Sequence, residues 1–251
     1  MCDEWMRPLK LSITFAEFLA LPRNNAYKYE YFDDHAYLSP RPKFYHALLD
    51  LDAFATAPPS AADPDVSLRP VLAEDWTAMI PLFAMAFERQ QPFGGLSDDE
   101  REVAARRALE RTRSGGDGPV IDAASLVALD GPGGTPIGAI LVTLLPDSDP
   151  SEWGSFHWHE APPVADDALR LGRPHLTWIF VHPFCAGRGA GTALLIGAVA
   201  RLRALGFRTM ASTFLPTNDS SVLWHWRNGF RLVEYPGSTR RMERRMRQSY
   251  Q

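Results

Sequence analysis

One stretch of this sequence constrains the fold more than any other, because a buried strand, a glycine-rich turn and a helix follow one another there. LTWIFV (176–181) has the continuous apolar character of a central strand. The overlapping segment VHPFCAGRGAG then places glycine at every second position, at Gly187, Gly189 and Gly191. The segment after it has an apolar stripe at helical spacing and ends at Gly206, a natural end for a helix. We therefore expect a strand, a tight turn and a helix in this order.

The glycine-rich turn can bind an anion, or it can simply be a loop of small residues. A turn that leaves a strand and opens a helix exposes backbone N–H groups at the positive end of the helix dipole, and glycines let phosphate oxygens come close. The dinucleotide fingerprint G-x-G-x-x-G does not fit, since its last position is Thr192 or Leu194, and no Walker sequence GK[ST] is present. The residues alone leave both interpretations open.

The composition is that of a globular protein and argues against several other classes. The chain has 251 residues, of which 45% are apolar, enough for a sizeable core. It has no run of about 18 apolar residues, so we expect no membrane span, and MCDEWMRPLK lacks a signal-peptide pattern. Cys2 and Cys185 form no disulfide framework and favour a cytoplasmic location. The net charge of -4 argues against nucleic-acid binding.

The first part of the chain differs in composition from the rest. Five of the seven tyrosines fall within the first 45 residues, and the stretch APPSAADPD (57–65) is typical of a linker. We therefore predict an N-terminal appendage over 1–60 and a main domain over 61–251. In the appendage, TFAEFLALP predicts a short helix, and YKYEYF and HAYLS predict a hairpin that turns at Asp33 and Asp34. A segment of about sixty residues is marginal for an independent core, so we expect it to pack on the main domain or on a second copy of the chain in a homodimer.

The remaining sequence alternates between strand and helix patterns. VSLRPV predicts a strand and 73–88 a helix, and Ser97 with Glu100 forms a capping box that starts a second helix. SLVALD and PIGAILVTLL flank GPGG as in a hairpin, and a polar and aromatic excursion over 146–174 follows. Strand, helix, strand, helix and strand then complete the chain. This order predicts an α+β (α/β) fold, a mixed sheet with helices on both faces.

Two motifs, in this order, resemble the GNAT superfamily of acyl-CoA-dependent N-acyltransferases. IFVHPFCAGRGAGTALL is similar to the family's V-x-P followed by [RQ]-x-x-G-x-[GA], and TNDSSVLWHWRNGF is similar to its Asn-led helix ending in G-F. SLRPVLAEDWTAMIPLFAMAF resembles the family's first strand and helix. The resemblance covers residues 66–247 and implies a mostly antiparallel, twisted sheet. One position departs from the pattern, because Ala186 stands where the family has Arg or Gln.

The resemblance implies acetyl-CoA as the co-substrate. Its pyrophosphate would be bound mostly by backbone N–H groups of the turn, which comprises Ala186, Gly187, Arg188, Gly189, Ala190, Gly191 and Thr192. Val181 would pair its backbone with the pantetheine arm as an added strand does, and the Arg188 side chain could supply positive charge. Asn218 would hydrogen-bond the same arm; it can also serve as the N-cap of the next helix.

The resemblance further implies that a neutral primary amine attacks the thioester directly, with a backbone N–H near Val181 stabilising the oxyanion. In many family members a tyrosine of the Asn-led helix protonates the departing thiolate. The corresponding residue here is His225, whose imidazole can donate a proton when it is charged. The alternative is that His225 only packs between Trp224 and Trp226.

The general base is less defined. LTWIFV contains no acid, so the candidates are His175, just before that strand, and the cluster of His157, His159 and Glu160. Further ligands at a suitable spacing are missing, so we expect no metal at this cluster, and a polar surface loop is the alternative. By resemblance, the amine acceptor is selected by 146–174 and 89–95.

The sequence therefore predicts an N-acetyltransferase that acts on a small-molecule or protein amine, and the alternative is a non-catalytic acyl-CoA-binding or sensor module. The N-terminal stretch TFAEFLALPRNNAYKYEYFDDHAYLSPRP resembles the start of the Uma family of endonuclease-like proteins, up to about residue 45. No nuclease core follows it, so nuclease activity is not implied, and a nucleic-acid-associated role ranks third.

Overall fold

The structure, a computed structural model, describes residues 9–22, 27–40, 45–54, 66–90, 93–147, 172–214 and 219–233. The chain divides into two compact units, 1–44 and 45–251. No helix of the described ranges is long and apolar enough to cross a membrane.

The first unit contains a small antiparallel sheet and one helix. Strand β1 (Leu9–Leu11) pairs with β3 (His35–Pro40), which pairs with β2 (Tyr27–Phe32), and helix α1 spans Phe15–Ala20. Thr14 and Glu17 form a reciprocal capping box at the start of α1. Asp33 and Asp34 have φ angles of 49° and 57°, as a two-residue hairpin turn of the primed type requires. The predicted helix and hairpin are confirmed.

The second unit contains the remaining strands and helices. Its elements are β4 (Tyr45–Asp50), β5 (Val66–Pro70), α2 (Asp75–Ala86), α3 (Asp98–Arg113), β6 (Leu126–Asp130), β7 (Pro136–Pro146), β8 (Gly172–Val181), α4 (Ala190–Ala204), β9 (Thr209–Phe214), α5 (Asp219–Arg227) and β10 (Arg231–Val233). The predicted capping box at Ser97 and Glu100 is present at the start of α3. Strand β8 begins at Gly172, so the last residues of the predicted excursion belong to a strand.

Among the described residues, seven strands form one sheet in the order β10-β4-β9-β8-β7-β6-β5. Neighbouring strands are antiparallel except β8 and β9, which run parallel. Strand β4 lies between β9 and β10, although it precedes the predicted linker. The division at 44/45 therefore differs from the boundary that we expected at 60/61, because β4 hydrogen-bonds within the large sheet.

Helices cover both faces of this sheet. On one face, Leu194, Leu195 and Ala198 of α4 are buried in a core to which Ile179 and Val181 of β8 also contribute. On the other face, the alternate β8 residues Trp178 and Phe180 pack against α2, with ring centroids 4.9 and 5.2 Å from Phe83. The predicted α+β fold with helices on both faces is confirmed.

Candidate functional site

The turn between β8 and α4 is built as the glycine pattern predicts. The His182 N–H donates to Ile137 O at 2.7 Å and holds the end of β8 against β7. A short 3-10 turn (Pro183–Cys185) then reverses the chain. Gly187 and Gly189 have φ angles of 82° and 83°, in the left-handed region that favours glycine. A Cβ on Gly187 would meet no atom within 4 Å, so the backbone there is open to a ligand.

The first N–H groups of helix α4 have no acceptor within the helix. The N–H of Ala193 donates to Gly189 O at 2.9 Å and makes the first bond of this kind in α4. The N–H groups of residues 190–192 therefore lack such acceptors, as at any helix start. The N–H groups of Ala186 and Arg188 instead donate within the turn, at 3.1 and 3.4 Å. The donors open to an anion are thus concentrated in the first turn of α4.

One positively charged residue, Arg188, lies in the turn itself. The guanidinium of Arg188 is 3.7 Å from the buried Cys185 Sγ and 3.8 Å from the Asp130 carboxylate. Both members of this ion pair are substantially exposed, so the attraction between them is weak and screened. This partly exposed guanidinium contributes positive charge to the turn.

The next feature of the site is the divergence of β8 from β9. Their parallel pairing consists of His175 with Ala211 and Leu176 with Ser212, although β8 continues to Val181. Strand β7 pairs Leu141 with Trp178 and Val142 with Leu176, which leaves Thr177 as an extra, bulged residue of β8. A bulge bends and twists its strand. In the part of the chain that the structure describes, the edge of β8 over 177–181 has no strand partner on the β9 side.

His225 lies near the base of this divergence, and it is 3% exposed. Its Nδ1 is 2.7 Å from the backbone oxygen of Ser221, which can only accept, so the proton is on Nδ1. Nε2 then accepts from the Ser212 hydroxyl at 2.8 Å. Phe214 stacks on the ring at 4.1 Å. Burial lowers the pKa of His225 to about 4, so the ring is neutral at pH 7.

His175 is 6% exposed and lies on the α2 side of the sheet. Its Nδ1 is 3.0 Å from Thr177 Oγ1, and its Nε2 is 3.1 Å from Thr213 Oγ1. The same Thr213 oxygen is 3.2 Å from Nδ1 of His46 on β4. Burial, followed by the charges of His46 and His225, lowers the pKa of His175 to about 3.

The structure separates the predicted catalytic residues in a way that the sequence could not indicate. His225 contacts the α4 and α5 side of β9, whereas His175 contacts the opposite side, so they do not form one pair. Burial lowers the pKa of both rings and so favours their neutral forms at pH 7, and the acid role of His225 stays a prediction. Asn218, His157, His159 and Glu160 lie outside the described residues.

The loop over 89–95 is described in part, and Phe93 anchors it. The Phe93 ring is 5.3 Å from that of Phe83 and 6.3 Å from that of Trp178. The Trp178 indole N–H donates to Thr112 Oγ1 at 2.9 Å. This aromatic cluster lies on the same face of β8 as His175.

Sequence reasoning missed the polar residues around the divergence, which are His46, Thr143, Thr177, Ser212 and Thr213. A signal was present, because TMASTFL places Ser212 and Thr213 between apolar residues of a strand. Buried hydroxyls need hydrogen-bond partners, so such residues indicate a polar network across neighbouring strands. The strands that supply the partners could not be identified without the sheet order.

Comparison with known proteins gives a family match. The acetyltransferase (GNAT) family matches residues 83–230. No curated protein matches the chain. A GCN5-related N-acetyltransferase from Sphaerobacter thermophilus is similar in structure, with a TM-score of 0.49 and 16% identity over 91% of this chain. This chain spans 58% of the length of that protein.

A second similar structure is the PaiA N-acetyltransferase from Thermoplasma acidophilum, solved with coenzyme A. Its TM-score is 0.46 and its identity 16%, over 69% of this chain and 94% of that one. The family match itself covers more than half of the chain, and it contains the turn at 187–191, the divergence of β8 from β9, and Gly229 with Phe230. The chain belongs to the acetyltransferase (GNAT) family.

Proposed function

We propose that this protein is an N-acetyltransferase that moves the acetyl group of acetyl-CoA to a primary amine of a small molecule or protein. The single observation that carries the proposal is the edge of β8 over 177–181, which has no strand partner on the β9 side among the described residues, next to the open N–H groups of α4. An extended pantetheine arm can hydrogen-bond to such an edge as an added strand does. The helix start that follows suits a pyrophosphate.

In this proposal the neutral amine attacks the thioester carbon, and a backbone N–H near Val181 stabilises the oxyanion. The pyrophosphate is bound by the N–H groups of Ala190, Gly191 and Thr192, with further contacts from Gly187 and Gly189 and charge from Arg188. Ala186 contributes only by shaping the turn, because its N–H is already used. Asn218 is proposed to bind the pantetheine arm.

His175 is the proposed base of the reaction, because a hydroxyl joins its Nε2 to the point where β8 and β9 diverge. For His225 we propose a positioning role, in which it holds the Ser212 hydroxyl beneath the same point. The aromatic cluster of Phe83, Phe93 and Trp178 is the proposed wall of the acceptor site.

A coenzyme A release assay with acetyl-CoA and a panel of primary amines tests this function. We expect amine-dependent release of the thiol, matched by acetylated amine in mass spectrometry. A protein that binds acetyl-CoA but acetylates no amine would support the second candidate, a non-catalytic acyl-CoA sensor. That candidate is favoured by one observation, the neutral and fully hydrogen-bonded state of His175 and His225.

The proposal places the reaction in the cytoplasm, where acetyl-CoA is made and used.

For the first unit we propose an accessory role in acceptor selection or in homodimer formation. We also propose that this unit is related to the start of the Uma family. Removal of residues 1–44 should change the preferred amine or the number of chains in the assembly in solution. If neither changes, the first unit has no such role.

A further inference from the structure

A chain of polar side chains crosses four neighbouring strands of the large sheet, from β4 to β7. His46, Thr213, His175, Thr177 and Thr143 follow one another at 3.2, 3.1, 3.0 and 2.8 Å. Thr143 then donates to the backbone oxygen of Asp117 at 2.8 Å. Polar groups buried in a sheet in this way are costly unless each of them is paired, and these form one continuous chain.

The carbonyl at one end fixes the direction of every hydrogen bond in the chain. Because the Thr143 proton goes to Asp117 O, the proton between the two threonine oxygens belongs to Thr177, whose hydroxyl also has the backbone oxygen of His175 as a more distant acceptor at 3.4 Å. Thr177 must then accept from His175, which places the imidazole proton on Nδ1 and a lone pair on Nε2. That lone pair accepts from the Thr213 hydroxyl, since its oxygen is the Nε2 neighbour.

The last link follows in the same way. Thr213 has given its proton to His175, so its oxygen accepts the Nδ1–H of His46. Among the described residues no further donor contacts the Thr213 oxygen, which leaves one of its lone pairs for another donor. Thr213 and Thr177 are both partly exposed, and they are the first residues after the last β8–β9 pair, Leu176 with Ser212.

We propose that Thr213 is a catalytic residue that relays a proton between the acceptor amine and His175 Nε2, and that His46 positions it. This inference rests on the proposed function, because it places the thioester at the divergence of β8 and β9. It adds a reacting hydroxyl on β9 and assigns a role in the site to β4, the strand that precedes the predicted linker.

The step balances without any added reagent. As the amine nitrogen forms its bond to the thioester carbon, an N–H bond breaks and its proton goes to Thr213 Oγ1. The original hydroxyl proton of Thr213 forms a bond to His175 Nε2, which makes an imidazolium. When the C–S bond breaks, this proton returns through Thr213 to the thiolate. The products are an N-acetyl amine and the free thiol.

The surroundings of His175 suit a brief proton carrier. Its neighbours are the neutral His46 on β4, the hydroxyls of Thr177 and Thr213, and, beyond the sheet, the neutral His225 on α5. The low pKa of His175 favours the neutral ring before and after the reaction, so the imidazolium formed during attack gives its proton to the more basic thiolate.

The first test compares Thr213→Val, which removes the hydroxyl at equal volume, with Thr213→Ser, which keeps it. Acetyl-CoA is used with lysine, putrescine and benzylamine, and the amine with the highest turnover serves as the probe. We expect Thr213→Val to lower kcat by about 100-fold or more with an unchanged KM for acetyl-CoA, and Thr213→Ser to recover most of it. Thr209→Val, on the same strand but outside the chain of polar groups, is the matched control.

His46 is tested in the same way, by comparing a variant that keeps the hydrogen-bond donor with one that loses it. His46→Asn retains an N–H donor close to the Nδ1 position, whereas His46→Leu does not. We expect His46→Leu to lower kcat by about 10-fold and His46→Asn to lower it less. Wild-type kcat in Thr213→Val, or equal losses in Thr213→Val and Thr213→Ser, would overturn the relay and leave the acetyltransferase function standing.

A second measurement does not depend on activity. Nitrogen-15 spectra of the histidine rings report which ring nitrogen carries the proton, and we expect Nδ1–H for both His175 and His46. A protonated Nε2 on His175 at pH 7 would overturn the relay, whatever the turnover. If the wild type releases no thiol with any amine, the proposed function and the relay both fail. The spectra still test the directions assigned to the hydrogen bonds in that case.

Discussion

At the scale of single residues, Gly191 allows a test of anion binding that does not disturb the turn. It lies in the first turn of α4, and an added Cβ would be 3.4 Å from Trp224 Nε1, an ordinary contact. Gly191→Asp should stabilise the helix by roughly 0.3–1 kcal/mol through the dipole, yet repel a pyrophosphate. We therefore expect a higher melting temperature without ligand and no further rise with acetyl-CoA. Gly191→Asn, neutral and of the same shape, is the control that should still respond. An equal response of both variants would contradict binding at this helix start.

The buried histidines predict how the free energy of unfolding depends on pH. Burial lowers the pKa of His46 and His225 to about 4, and that of His175 to about 3. In the unfolded chain these groups have an ordinary pKa of about 6.5, so below that value the unfolded state binds more protons. The contribution of the neutral histidines to the free energy of unfolding is therefore fully present above pH 6.5 and is lost as the pH falls towards 4. Urea titrations at pH 7 and pH 5 should differ by about 2 kcal/mol for each of these histidines. Equal free energies of unfolding at the two pH values would contradict the neutral, buried state.

At the scale of elements, β4 determines where the chain can be shortened. It hydrogen-bonds to both β9 and β10, and Ala47 and Leu49 contribute to the core. A chain without residues 1–44 should keep cooperative unfolding, whereas one without residues 1–60 should lose it, because the sheet is then interrupted. Circular dichroism during heating compares the two. A cooperative transition of the same midpoint in both chains would show that β4 is dispensable.

The sequence predicted most elements of the second unit because their patterns are local. The capping box at Ser97 and Glu100 and the glycines of the turn are of this kind. It did not predict β4, since YHALLD is short, lacks strand alternation and precedes a linker-like stretch. The bulge at Thr177 was also missed, because it depends on the register between β7 and β8, which no single segment contains.

At the scale of the whole molecule, the catalytic residues illustrate the same limit. His175 and His225 could be named from their places in the motifs, but their partners come from other strands. His46 and Thr213 are 167 residues apart in the chain and meet only because β4 pairs with β9. The glycine-rich turn before α4 could be predicted, whereas the use of the Ala186 and Arg188 N–H groups within that turn and the neutral state of the rings could not, because they depend on the folded geometry.

The central claim is that acyl-CoA binds along the open edge of β8 and at the start of α4. The most direct measurement is a nitrogen-15 amide titration of the wild-type protein with acetyl-CoA. The claim predicts that the largest shifts fall on residues 177–181 and 187–192 and saturate together. Amides that stay unchanged at millimolar acetyl-CoA, or shifts that cluster around Arg173 and Arg208 at the other end of β8 and β9, would contradict it.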